Sequence, residues 1–437
     1  MTTKALEGIR IIDHGVVWAV PHCGMLLANM GAEVIKVESI QYYDSIRGEI
    51  TPPLTAATAL QLGVVLPYPE GEPGERPWER HPYFHSTNSS KLGLTLDLSR
   101  PRGREVYRRL VEKSDVVLEG FSHGTMADLG ITYDVLREWK PDIIYASAPG
   151  YGTGGPESDY VAYGTNQWHM GGMAAVSGYP GEGPMQASNT YGDPLAGWHI
   201  AGFVLAALLY RRRTGKGQFI DVSQTEPSLC CLGEVVLDYV MNGRTAERRG
   251  NRHPCYAPHG CYPCRGEDMW VTIAVTSEQE WTALCGAMGS PGLATDERFG
   301  DALRRWQNQD ELDRLIAEWT STRDRYEVMC LLQGVGVAAT PVLGVDSIHD
   351  NPQHKARGYY EMVAHPYAGT HLYRNVGYRM SRTPGHIMRP PPCLGEHNEY
   401  VLGTILGMSG EEIAGLESEH YIGTMPLPGA DGQPVEK

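Results

Sequence analysis

The first four dozen residues restrict the fold more than any other part of the chain. Gly8-Ile9-Arg10-Ile11-Ile12-Asp13 is a short apolar run that reads as a strand. Pro21 to Met30 carries apolar residues at helical spacing and stops at Gly31, and Ala32-Glu33-Val34-Ile35-Lys36-Val37-Glu38 reads as a second strand. Strand, helix and strand within about 30 residues form a βαβ unit, whose right-handed crossover makes the two strands parallel. The alternation continues. Asn88 to Leu98 ends in a strand, Arg102 to Lys113 is an amphipathic helix around Val106, Leu110 and Val111, and Ser114–Glu119, Ile143–Ala148 and Phe219–Ser223 are further strands. A long helix runs from Gly192 through Tyr210 and closes on Arg211-Arg212-Arg213-Thr214-Gly215, cations and a glycine at the negative end of its dipole. The expected class is therefore α/β with a Rossmann-like parallel sheet.

Composition bounds the partners. With 437 residues the chain can bury a large core and is expected to form two domains, and 37 basic against 52 acidic residues, a net charge of −15, argue against nucleic acid and against an anionic membrane surface. The start, MTTKALEGIRIIDHG, lacks a basic segment followed by an apolar one, and the longest apolar candidate, Ile200 to Tyr210, is broken by Gly202 and followed by three arginines. A cytoplasmic protein is the expectation, and nine cysteines in such a chain fit reduced thiols. From Thr51 to His81 the sequence turns rich in proline and glycine and reads as an irregular surface excursion.

Chemistry is expected where a buried strand runs into glycine. Ile143 to Ala148 feeds the segment Gly150 to Gly178, GYGTGGPESDYVAYGTNQWHMGGMAAVSG, and a strand that ends at a glycine loop before a helix is the usual site position in an open α/β sheet. Within it, Gly150-Tyr151-Gly152, Gly155-Pro156, Tyr163 and Gly171-Gly172 resemble the central segment of the class III CoA-transferases, the formyl-CoA transferase and acyl-CoA racemase group. The resemblance extends to GAEVIKVE at Gly31–Glu38, the Asn88–Leu98 block, RTGKGQFIDVS at Arg213–Ser223, Asp350–Gly358 and Pro390–His397, and so spans Gly8 to about Leu402.

That resemblance implies a large Rossmann-like domain made of N- and C-terminal parts (residues 1–225 and 336–437), a smaller α+β domain with linkers (226–335), and an interlocked dimer. It also implies an aspartate directly after Tyr163, a carboxylate that accepts the acyl group and then carries CoA as a thioester, splitting one difficult transfer into two easier ones. Here that position is Gly164, and Asp159 lies five residues too early. The family pattern further implies CoA contacts at Ala19, Lys91, Phe121 and Tyr151, and in Arg248–Pro254 a loop that closes over the thioester. The chain departs from the pattern at Ser39, Gly120, Ser122 and Asp128, as well as at Gly164, all of them at positions that would meet CoA or carry the acyl group. An acid at 128 would repel a diphosphate.

The remaining candidates are read against plainer roles. His169 has a side chain suited to proton transfer near neutrality, yet without a carboxylate partner it reads as a packing or hydrogen-bonding residue. Asp193, at a helix start, reads first as a cap. His253, Cys255, His259, Cys261 and Cys264 have the composition of a metal site, but the second ligand knuckle is missing and no metal is expected. The functional expectation is a CoA-transferase subunit that lacks its own nucleophile, resembling the acid-lacking subunit of benzylsuccinate CoA-transferase. A paralogous aspartate-bearing chain would supply the carboxylate and much of the pocket for coenzyme A or acyl-CoA. The reaction would pass CoA from a donor such as succinyl-CoA to an organic acid, aromatic acids included. The alternatives are a homodimeric acyl-CoA lyase, isomerase or transferase that uses His169, Asp193 or another residue, and a non-enzymatic scaffold.

Overall fold

In the computed structural model, which describes residues 4–49, 56–61, 66–187 and 190–428, the expected strands assemble into one six-stranded parallel sheet. Its elements follow in chain order: β1 (Arg10–His14), α1 (Ala19–Asn29), β2 (Glu33–Glu38), β3 (Leu92–Thr95), α2 (Pro101–Glu112), β4 (Val116–Glu119), β5 (Ile144–Ser147), α3 (Gly164–Met170), α4 (Gly192–Thr214) and β6 (Phe219–Asp221). The strand order is β3-β2-β1-β4-β5-β6, every neighbouring pair being parallel. Successive side chains of a strand face opposite sides, so a sheet covered on both faces must be apolar at every position. Ile11 accordingly packs into a core with Val34, Val116, Ile144, Leu27, Ile200 and Val204, beneath α1 and α4. Ile12 packs on the other side with Ile35, Val117, Val106 and Leu110, beneath α2. The C-terminal residues Val401, Leu402 and Leu416 fill this second core, so the sheet domain is built from both ends of the chain.

By length and composition α4 could cross a bilayer, but Ala196, Ile200, Val204 and Ala207 form a buried stripe that makes it a core helix of this unit. Its other side is also apolar, and Trp198, Phe203 and Leu209 are each between 44% and 49% exposed. The helix expected over Pro227–Val240 is interrupted at Cys231-Leu232, and its second half, α5 (Gly233–Asn242), buries no residue at all.

The chain divides into two compact units. The larger runs to Met173, adds Gln186–Val236 and resumes at Ala356, while the smaller comprises Ala174–Met185 and Leu237–Lys355. In the smaller unit β7 (His259–Pro263), β8 (Trp270–Ala274) and β9 (Ala338–Pro341) form an antiparallel sheet whose inner face meets α6 (Glu278–Ala287), α7 (Gln309–Thr320) and α8 (Arg325–Gly334) through Ile273, Trp281, Leu312 and Leu332. Ala338–Pro341 is the edge strand of this small sheet, so the boundary expected at residue 336 falls later in the chain, after Lys355. The return proper begins with the hairpin β10 (Tyr360–His365) and β11 (Gly369–Arg374). Within the excursion expected over Thr51–His81, residues 51–55 and 62–65 lie outside the described residues.

Arg47 fastens the two ends of the larger unit together. Fully buried, it forks onto Glu38 at the end of β2 with two 2.8 Å bonds, reaches Glu79 at 3.0 Å and donates to the Pro392 carbonyl at 3.1 Å, while Glu79 accepts the Leu394 backbone N–H at 2.9 Å. Burial alone would raise both carboxyl values; the bidentate guanidinium holds Glu38 down to about 2, whereas burial prevails at Glu79. Removing the cation strands two buried carboxylates. Arg47→Ala is expected to lower stability by about 3–5 kcal/mol, read as an earlier denaturant midpoint at pH 7.

Candidate active site

In an open parallel sheet a site forms beyond the carboxyl ends of the strands where the strand order reverses, here between β1 and β4. His14 and Glu119, the last residues of these strands, are register partners there. Burial depresses His14 to about 4 and raises the Glu119 carboxyl, against hydrogen bonds from Ser147, the Phe121 N–H and Tyr145. His14 lies 2.9 Å from the Tyr107 hydroxyl.

The loop after β1 is held by buried charge. Asp13 accepts the Gly15 N–H at 2.7 Å, Lys36 donates to the Gly15 carbonyl at 2.6 Å, and Asp44, paired with Lys36 at 2.9 Å, accepts the Val17 N–H at 2.9 Å. Val17 itself has φ +63°, a conformation that a β-branched residue adopts only when its surroundings enforce it. The loop after β4 comes in from the other side. A Cβ at Gly120 would lie 2.8 Å from Val20, so only glycine lets this loop approach the first turn of α1 so closely.

The residues expected to meet CoA fall into three situations. Ala19 begins α1 at the reversal point and is buried, and Phe121 is half-buried beside His14, the ring centroids of His14 and Phe121 6.3 Å apart. Tyr151 is half-buried just past β5. Lys91 does not reach a ligand: it is fully buried, and its ammonium donates to Asp13 at 2.6 Å, Pro21 at 2.8 Å and Asn88 at 2.8 Å. All three N–H groups are thereby used, and burial pulls its value below the ordinary lysine range. Its place is under the β1 loop, as a support.

Gly164 is the first residue of α3 and is buried. A Cβ built on it would lie 1.9 Å from Asp193 Oδ2, 2.6 Å from Thr190 Cβ and 3.0 Å from Asp193 Cγ. The space that a side chain at 164 would occupy is therefore filled by the carboxyl of Asp193, from the first turn of α4. Asp193 is 7% exposed; desolvation raises it from 3.8 to about 6, against hydrogen bonds from Thr190 and its own backbone N–H. His169 is exposed instead, its Nδ1 2.8 Å from the Thr165 carbonyl of its own helix. Asp159 is exposed too.

Of the other departures, the Ser39 hydroxyl exchanges hydrogen bonds with the Tyr42 backbone at 2.8 and 3.0 Å, closing a turn, and Ser122 and Asp128 are exposed. In the smaller unit Gly250, Asn251 and Arg252 border a cavity of about 570 Å³ with Thr272, Thr340 and Gln333, and Arg252 is bound to Asp313 at 2.8 Å. Among the described residues no group of three His, Cys, Asp or Glu side chains is arranged to hold a metal ion. The sequence reading did not single out the buried partners Asp13, Lys36, Asp44 and Glu119. The available signal was acids and lysines inside otherwise apolar strands, IIDHG, EVIKVE and VVLE.

A Rossmann-ordered sheet with its strand order reversing between β1 and β4 and a glycine segment beyond β5 defines an open, doubly wound α/β protein. The family model for CoA-transferase family III matches residues 6–398, and the chain belongs to that family. A succinyl-CoA–D-citramalate CoA-transferase of Chloroflexus aurantiacus is 32% identical over 425 residues, 96% of this chain and 98% of its own. The beta subunit of a succinyl-CoA–L-malate CoA-transferase from the same organism is also 32% identical, over 96% of this chain and 99% of its own. A CaiB/BaiF family protein from Brucella suis superposes with a TM-score of 0.79 at 30% identity, covering 93% of this chain and all of that one. The chain is a class III CoA-transferase by family.

Steric exclusion between positions 164 and 193 is measurable. Gly164→Ala is expected to cost about 1–3 kcal/mol, and part of that cost, the share not due to Thr190 Cβ at 2.6 Å, is expected to vanish in an Asp193→Ala background, giving a favourable coupling in a double-mutant cycle by urea denaturation. Asp193 also sets a pH dependence. Its folded value lies above the ordinary 3.8, so its contribution to stability is complete below about pH 4 and is lost as pH rises through about 6. Asp193→Asn should match the parent near pH 3.5 and exceed it by about 3 kcal/mol at pH 8, in denaturant midpoints at the two pH values.

Proposed function

We propose that this chain is one of two non-identical subunits of a cytoplasmic CoA-transferase. The enzyme moves CoA from an acyl-CoA donor such as succinyl-CoA to a small organic acid, with aromatic acids within its range. Its partner is a paralogous chain bearing an aspartate at the position of Gly164. The observation that carries this reading is the placement of the departures. Framework residues of the sheet and its buried supports are intact, while Ser39, Gly120, Ser122, Asp128 and Gly164 differ at the positions where the family meets CoA or carries the acyl group. An exposed acid at 128 and a serine engaged in its own turn at 39 offer little to a polyanionic ligand. A relative of nearly full-length similarity is itself named as a subunit.

The uncovered apolar surfaces support an extensive protein partner. Trp198, Phe203 and Leu209 line the outer side of α4, and Val240 and Met241 of α5 are 72% and 75% exposed. Apolar area on this scale is normally covered, and an interlocked dimer would cover it. In that assembly the partner completes the CoA pocket, and no metal takes part.

Co-expression with an aspartate-bearing paralogue from the same genome should yield a stable mixed assembly that transfers CoA from succinyl-CoA to small organic acids. By calorimetry that assembly should bind CoA at least about tenfold more tightly than the chain by itself. Tight stoichiometric CoA binding by the isolated chain, unchanged by the paralogue, would falsify the two-subunit reading.

A further inference from the structure

We infer that the cavity on the outer face of the smaller unit's sheet is a binding site for an uncharged, flat heteroaromatic base of the adenine kind. The inference goes beyond the CoA-transfer reading, since the site lies wholly within the smaller unit and uses no residue of the β1 and β4 reversal point.

The floor of the site follows from the strand register. Ala274 of β8 has His259 of β7 and Ala338 of β9 as register partners, and two residues earlier Thr272 has Cys261 and Thr340. Register partners and alternate residues share one face of a sheet, so these side chains form two rows on the face opposite the one that Ile273 and Ala339 bury in the core. Three strands about 4.8 Å apart and two rows about 7 Å apart make a floor of roughly 10 by 7 Å, the footprint of a bicyclic ring. Ala274 and Ala338 carry only methyl groups, so a flat molecule can lie close to the backbone there. The cavity over this floor has a volume of about 570 Å³.

The walls offer hydrogen bonds without spare charge. His259 donates from Nδ1 to the Asn251 carbonyl at 2.8 Å, which leaves Nε2 as an acceptor. Gln333 donates from Nε2 to the Ala339 carbonyl at 2.9 Å, which leaves Oε1 as a second acceptor. The Thr340 hydroxyl and the Asn251 amide add donors to the same lining. Arg252 lines the cavity as well, but Asp310 meets its guanidinium at 2.5 Å and Asp313 at 2.8 Å. Two carboxylates against one cation leave the surroundings net negative, which disfavours a carboxylate or phosphate ligand. A sugar would leave the methyl floor unmatched, and an aliphatic chain would leave the acceptors unmet. A planar base with an exocyclic amino group suits both. Its face fits the methyl floor, its amino group supplies donors for acceptors such as His259 Nε2 and Gln333 Oε1, and its ring nitrogens accept from a hydroxyl or an amide.

Such a base arrives either in a free nucleoside or nucleotide or as the adenine of CoA. The test titrates the purified chain, and its mixed assembly with an aspartate-bearing paralogue, with adenosine, AMP and CoA by calorimetry. Adenosine is expected to bind, with AMP within about threefold of it because no free cation awaits the phosphate. Ala338→Leu fills the floor and is expected to weaken adenosine by at least about tenfold, and Thr340→Val by at least about threefold. Both positions are exposed, so the denaturant midpoint of each variant is expected to match the parent. Displacement of adenosine by CoA in the parent supports the adenine of CoA as the occupant, and adenosine left in place by CoA supports a free nucleoside or nucleotide. No adenosine binding at millimolar concentration, an affinity within about twofold of the parent in Ala338→Leu, or AMP bound more than about threefold tighter than adenosine overturns the site. CoA transfer by the mixed assembly without adenosine binding overturns the site and leaves the proposed function standing, whereas adenosine binding without transfer does the reverse.

Discussion

The chain of buried charges at the carboxyl ends of β1 and β2 is the interaction on which the rest of this structure depends. Lys91, Asp13, Lys36, Asp44, Glu38 and Arg47 are all buried, and each finds an opposite charge and further hydrogen bonds. Such pairs add little net stability over apolar replacements, since desolvation offsets most of the Coulomb attraction. What they do is fix geometry. Asp13, Lys36 and Asp44 grip both ends of the Gly15–Val17 loop, and only that grip explains a valine held at φ +63° at the entrance to α1. The first turn of α1 is then presented to the reversal point of the sheet at a fixed height, with the β4 loop brought against it through Gly120.

This explains why Lys91 is better understood as foundation than as ligand contact. A lysine near a diphosphate must leave at least one donor free, and here three protein oxygens exhaust the ammonium. A lysine so engaged fixes Asp13, and Asp13 fixes the loop. Electrostatic recognition of a polyanion must therefore come from backbone N–H groups, from other residues or from another chain.

Much of the fold was legible in the sequence, because burial on both faces of a parallel sheet leaves a plain mark. Ile11-Ile12, Val34-Ile35 and Val116-Val117 are adjacent apolar pairs that only a two-sided core requires, and their strands were placed to within a residue or two. Less legible were features that depend on where two distant segments meet. Ala338–Pro341 reads as a strand in either unit, and the choice is made by pairing with β8, which no local pattern encodes. The vacancy at Gly164 was evident from the motif spacing, whereas its occupation by Asp193 was not. As the second residue of a helix, Asp193 satisfies every local rule for a dipole-stabilising acid, and its position against α3 is a tertiary fact.

The electrostatics of that position distinguish Asp193 from an ordinary helix-start acid. Near the positive end of a helix an exposed carboxylate is held below its usual value, yet Asp193 is pushed up to about 6, so desolvation outweighs both the dipole and two hydrogen bonds. At neutral pH the group is still ionised for most of the time, but its charge is poorly hydrated. A carboxyl kept only to cap a helix has no need of desolvation, which costs stability across the neutral range. In this chain that cost accompanies the close packing of the Asp193 carboxyl on Gly164, where a Cβ would lie 1.9 Å from Oδ2.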